Sequence, residues 1–99
     1  MEADTKTLQF RKIDDTVWAC YIRRPARSIY GKAFTAVEGV RVIQERDGSW
    51  RADRAEWIGT WAPWVPITNE EFPTADKAKD AVQAWAIGKN ATQFQPEAR

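Results

Sequence analysis

The sequence predicts an α+β fold: an antiparallel sheet of about five strands with one C-terminal helix packed on one face. Three observations carry that expectation. The apolar side chains are β-formers. Six Trp, four Phe, seven Ile and six Val stand against a single Leu, Leu8, and branched or aromatic side chains suit a pleated surface where Leu suits a helix. Two-residue alternation and turn signals recur from Thr7 to Thr68. An apolar spacing of three and four residues that no Gly or Pro interrupts begins only after Pro73.

Taken in order, Thr7–Ile13 alternates, with Leu8, Phe10 and Lys12 on one face. Asp14-Asp15 is a turn signal and Val17–Ile22 is strongly β-prone, so the two runs predict an N-terminal hairpin. In its second strand Trp18, Cys20 and Ile22 share one face, and Val17, Ala19 and Tyr21 share the other. Arg23–Ala36 has little periodicity and carries Pro25 and Gly31. It reads as a long loop, with a short strand at Ala33–Val37. Gly39 opens a clearer unit: a strand Val40–Arg46, the hairpin dipeptide Asp47-Gly48 and a partner strand Ser49–Trp57. Gly59-Thr60 turns the chain into Trp61–Thr68, where Pro63 and Pro66 each remove a backbone donor and confine the segment to an edge. Thr74 follows Pro73 as a helix N-cap, and Asp76 suits the first turn. A helix over Ala75–Ile87 then lays Ala78, Val82 and Trp85 on the sheet, with Gly88 placed to end it. Residues 1–6 and Ala91–Arg99 read as polar, mobile tails of a single domain.

Composition bounds the chemistry. A chain of 99 residues with net charge +1 holds one modest core and little material for a deep cleft. Histidine is absent, which removes the usual general base, the usual partner of a Ser or Cys nucleophile and the commonest metal ligand. Cys20 is the single cysteine, so neither a disulfide nor a zinc cluster forms within the chain. It sits in an apolar alternating strand with nothing nearby to lower its pKa, and reads as a small buried hydrophobe. The pairs Asp14-Asp15 and Glu70-Glu71 place neighbouring carboxylates on opposite faces, not on a shared proton. The glycines are scattered and form no phosphate loop. No catalytic residue, metal site or cofactor is therefore expected. Met1 leads into a polar stretch, and no apolar run approaches the ~18 residues of a membrane span, so a cytoplasmic chain without membrane contact is expected.

Two features point to binding. From Thr16 through Val37 there is no acidic residue, while Arg23, Arg24, Arg27 and Lys32 alternate with Tyr21, Tyr30 and Phe34. Guanidinium forks and planar rings in a loop suit phosphate contact and base stacking, and also suit an acidic protein surface. A solvated loop that offsets acidic residues elsewhere is the plainer reading. The second feature is the cluster Trp57, Trp61 and Trp64, broken by Gly59 and Pro63. A domain of this size does not bury six indoles easily, so Trp61 or Trp64 is expected on the surface, where Trp anchors protein interfaces. Core packing is the competing reading.

Residues 39–88 also carry a family likeness. Asp47-Gly48-Ser49-Trp50-Arg51-Ala52 lies in a hairpin, and Phe72-Pro73-Thr74-Ala75-Asp76-Lys77-Ala78 opens a helix containing Trp85. This resembles the three-stranded-sheet-plus-helix DNA-binding domains at the N-termini of phage-type tyrosine integrases, with their DG-x-W-x-A strand and F-x-T-x-x-x-A helix start. The layout is also similar to that of small phage accessory proteins. The resemblance implies a DNA-binding architecture whose sheet face is basic. Here Arg41, Arg51 and Arg54 are instead interspersed with Glu45, Asp53 and Glu56.

The expectation is a small non-enzymatic binding protein of phage or mobile-element origin. It would occlude or modulate a host protein through Arg23, Arg24, Arg27, Tyr30, Lys32, Trp61 and Trp64. A sheet-reading DNA-binding protein is the alternative, and carbohydrate binding by the Trp cluster a third class.

Overall fold

A computed structural model describes residues 7–94. The chain runs β1 (Arg11–Asp14), β2 (Val17–Arg27), β3 (Ala33–Gln44), β4 (Trp50–Glu56), β5 (Val65–Pro66), α1 (Ala75–Gly88) and β6 (Thr92–Phe94). It is an α+β fold. All strand pairs are antiparallel, in the order β1-β2-β3-β4-β5, with β6 also on β2. The outer edge of β2 is thus shared: β1 takes Val17–Ala19 and β6 takes Tyr21–Arg23.

One face of the sheet holds the core. Directly opposed residues share a face in an antiparallel pair, and the rows Trp18–Val42–Ala52 and Cys20–Val40 point toward the helix with Ile22 and Trp50. Ala78, Val82 and Ala86 of α1 close over them. Trp85 is only partly buried at the margin, and Trp50 is the indole that enters the core. Cys20 is buried there as expected, and burial alone pushes its thiol up to about 12. Thr74 caps the helix as its spacing predicted, its hydroxyl accepting from Lys77 N at 3.2 Å. Just before it, Phe72 and Trp50 exchange backbone hydrogen bonds of 2.7 and 2.8 Å, which fasten the helix start to β4. No helix among the described residues is long and apolar enough to cross a membrane.

Four expectations need correction. The segment Arg23–Ala36 is not a loop. The β2–β3 ladder runs unbroken from Val17–Ile43 to Arg27–Ala33, and only Ser28–Lys32 turns, with Gly31 at φ +80°. Gln44 N donates to Thr16 O at 2.8 Å and Ser28 N to Lys32 O at 2.9 Å, at opposite ends of the ladder. Even-numbered residues of β2 therefore carry the bonds to β3, and Pro25 turns its missing donor outward, where no bond is lost. Past Arg23 and Val37 neither strand has another strand beside it. Four more residues at ~3.4 Å each carry the bare ribbon roughly 14 Å beyond the sheet.

The second correction concerns the C-terminal tail. Ala91 is buried and Thr92–Phe94 form β6; the rest of that tail, and the other expected tail at residues 1–6, lie outside the described residues. Third, the helix ends at Gly88 as its placement predicted, but takes the glycine in as its last residue, one past the expected Ile87. Lys89 is its C-cap and Asn90 takes the left-handed conformation at φ 57°, a position Asn tolerates through local hydrogen bonding. Fourth, the first strand is shorter than Thr7–Ile13 because Leu8 and Phe10 are drawn to the core, Leu8 N donating to Gln83 Oε1 on the helix at 2.7 Å.

Candidate binding face

The sheet face opposite the helix carries the odd-numbered residues of β2 and β3. In register across it lie Tyr21, Gly39 and Ala55, and beside that row Ala19, Arg41 and Asp53. Gly39 is not the start of a strand, as its sequence context had implied, but lies mid-way along β3. Ala19, Gly39 and Ala55 are small, so the middle of this face is sunken.

The segment after β4 folds back over the hollow. Gly59 at φ +91° makes the turn possible, Ile58 N donates to Thr60 O at 2.9 Å, and Ala62 N to Glu56 O at 2.8 Å. Trp57 and Trp61 pair across this loop, edge to face at 5.1 Å and 66°. Trp61 in turn stacks on Tyr21 at 5.7 Å and 29°. Trp64 lies under the guanidinium of Arg41, 4.3 Å from ring centre to Cζ. The walls are therefore Tyr21, Trp61 and Trp64 around a floor of Ala19, Gly39 and Ala55, enclosing about 230 Å³. Trp61 and Trp64 stay 44% and 42% exposed, so both are at the surface where at least one was expected.

The basic residues divide by parity. Arg23 and Arg27 share the open face with Tyr21, Arg23 lying 5.4 Å from the Phe94 ring. Arg24 points to the helix side instead, where its Nη2 and Nε reach Glu38 Oε2 at 2.7 and 3.1 Å. Glu38 is fully buried, Arg54 Nη1 joins it at 3.3 Å, and Glu38 Oε1 has no partner among the described residues. Arg24, grouped in sequence with the solvated contact residues, is thus committed to a buried ion pair. Tyr30 and Lys32 stand at the ribbon tip, with Ile29 and Tyr30 91% and 89% exposed. Arg27 Nη1 donates to Gly31 O at 2.8 Å and so braces that turn.

The arginines of the central strands are also engaged. Asp53, 2% exposed, accepts from Arg41 Nε at 3.0 Å and Arg51 Nε at 3.2 Å. Arg51 reaches Glu45 as well, and these bonds raise its pKa further, the Glu45 bond first. A sheet face that reads DNA needs guanidinium groups free for phosphates and bases, and the arginines of β3 and β4 already have carboxylate partners.

Sequence reading missed Gly39, the alanine floor, Arg41 and Phe94. A glycine between β-formers does signal close approach of another group in a strand, and that signal was present at Gly39. Comparison with family models, with curated proteins and with solved structures returned no match. The likeness to integrase domains rests on the motifs alone.

Proposed function

We propose that the chain is a small non-enzymatic binding protein that occludes or modulates a host protein through the open sheet face. The observation that carries this reading is the half-exposed wall of Tyr21, Trp61 and Trp64 over a sunken floor, which no other element of the described residues covers. Aromatic side chains held rigidly at the surface are the usual anchors of protein interfaces. Arg23 and Arg27 supply a positive rim on the same face. The resemblance of residues 39–88 to the N-terminal domains of phage-type integrases supports an origin in a phage or mobile element. The test is capture of partners from a host lysate by the wild-type chain and by the double variant Trp61→Ser, Trp64→Ser. A partner retained by wild type and lost by the folded double variant supports the reading; equal capture refutes it.

A second reading has one observation in its favour. A two-stranded β-ribbon fits the DNA major groove, and the ribbon here presents Arg27, Tyr30 and Lys32 at and near its tip. Binding of that kind weakens steeply with salt. Duplex binding with a steep salt slope that Arg27→Glu and Lys32→Glu flatten would favour DNA over a protein partner.

A further inference from the structure

Resting on the proposed protein contact, we infer that the hollow over Gly39 is a socket for one aromatic side chain of the partner, flanked in the partner by carboxylates that meet Arg23 and Arg27. Size argues for a single ring. An apolar cavity of ~150 Å³ holds benzene, drug-sized ligands need ~300–1,000 Å³, and the hollow measures about 230 Å³. The walls argue for an aromatic guest. Tyr21 and Trp61 are already stacked and Trp57 meets Trp61 edge-on, so the walls are a set of mutually packed rings that a further ring extends by the same kind of contact. The floor is backbone and small side chains of three hydrogen-bonded strands, with Gly39 and Ala55 buried beneath the ring tips, so floor and walls are built before the partner arrives.

Charge settles which aromatic guest. An aromatic cage for a cation needs a ring face open to it. Here Arg41 already occupies the face of Trp64, and the adjacent Asp53 is buried and bound to two guanidinium groups. From Thr16 through Val37 the chain has no acidic residue, and Arg23 and Arg27 follow Tyr21 along the same strand face. Extended chains place alternate side chains on one face, so a partner strand running along β2 with its ring beside Tyr21 sets a residue two positions away beside Arg23 and one six positions away, roughly 20 Å on, beside Arg27. Carboxylates there complement the rim.

Gly39 provides a test that leaves the fold intact. A Cβ at this position would lie 3.4 Å from Trp64 Cη2 and 3.8 Å from both Trp61 Cζ3 and Tyr21 Cε1, ordinary contact distances, at a backbone conformation open to any residue. Gly39→Ala therefore raises the floor without strain, and Gly39→Val raises it further. The probes are three blocked extended peptides: Phe between two Glu-containing flanks, the same flanks around Ala, and Phe between Lys-containing flanks. Binding is followed by the indole N–H signals in NMR at millimolar peptide. We expect the Glu–Phe peptide to shift the Trp61 and Trp64 signals, the Ala-centred and Lys-flanked peptides to bind at least tenfold more weakly, and Gly39→Ala to reduce affinity several-fold with the melting temperature kept. Equal binding of Phe- and Ala-centred peptides, no shift at millimolar concentration, or shifts caused by duplex DNA but not by peptide would overturn the socket. In the lysate experiment, partner capture that survives Gly39→Ala and Gly39→Val but not the Trp61→Ser, Trp64→Ser change refutes the socket and leaves the proposed contact face standing. Capture indifferent to all of them refutes both.

Discussion

Replacing Arg24 by Ala should destabilise the domain by about 3 kcal/mol, because Glu38 then loses its main partner inside the protein. Glu38 is fully buried and Arg24 is 18% exposed, so solvent screens their 2.7 Å contact little. Removing one member of a buried pair costs ~3–5 kcal/mol, since the remaining charge keeps its desolvation penalty without its partner. Arg54 stays beside Glu38 at 3.3 Å, which places Arg24→Ala at the lower end of that range. Arg24→Glu sets a second carboxylate against the buried one and should exceed it. Against a whole-domain stability of ~5–15 kcal/mol this is a large fraction, and it corresponds to a drop in Tm of roughly 12–24 °C. Urea unfolding of wild type, Arg24→Ala, Glu38→Gln and the double variant measures it. The double-mutant cycle should give a coupling above ~1 kcal/mol. Arg23→Ala is the control: one residue away on the exposed face, it should change stability by less than ~0.5 kcal/mol. An Arg24→Ala midpoint indistinguishable from wild type, or a cycle with no coupling, would refute the reasoning.

Trp50→Ala should cost ~3–5 kcal/mol and leave the domain at the edge of stability. Trp85→Ala, at the half-buried margin, should cost clearly less, and urea midpoints in the opposite order would overturn the core assignment. Cys20 should resist a thiol reagent in native protein at pH 8 and react promptly in denaturant, because its folded pKa of about 12 leaves almost no thiolate. Rapid native labelling would contradict its burial. Asp47 accepts from Ser49 N at 3.0 Å and Ser49 Oγ at 2.7 Å, which holds its pKa below the ordinary 3.8. A depressed carboxylate pKa stabilises the fold above pH 3.8 and loses that effect as pH falls through the lowered value. Asp47→Asn should therefore flatten part of the acid limb of the stability–pH curve below that point. An unchanged acid limb would show that the turn carboxylate is not coupled to folding.

The sequence by itself determined what depends on near neighbours. Asp47-Gly48 specifies a hairpin because Gly48 supplies the φ of +90° that the turn demands. Thr74 specifies a helix start because its hydroxyl reaches the amide three residues on. Alternation put Trp18, Cys20 and Ile22 on one face, and the structure keeps them there. Alternation, however, registers burial rather than strand, so the ribbon between Arg24 and Ala36, with little packed against it, left no pattern to read. The short β6 was invisible for the same kind of reason, since its pairing with Tyr21–Arg23 joins residues some seventy positions apart. Which of two adjacent arginines meets solvent and which meets Glu38 was decided by the pairing of β2 with β3, which sets Arg24 on the same face as Glu38 and Arg23 on the opposite one. The aromatic socket is likewise a tertiary product. Its floor comes from three strands and its walls from β2 and the loop after β4, and only their register brings Gly39 beneath Trp61 and Trp64.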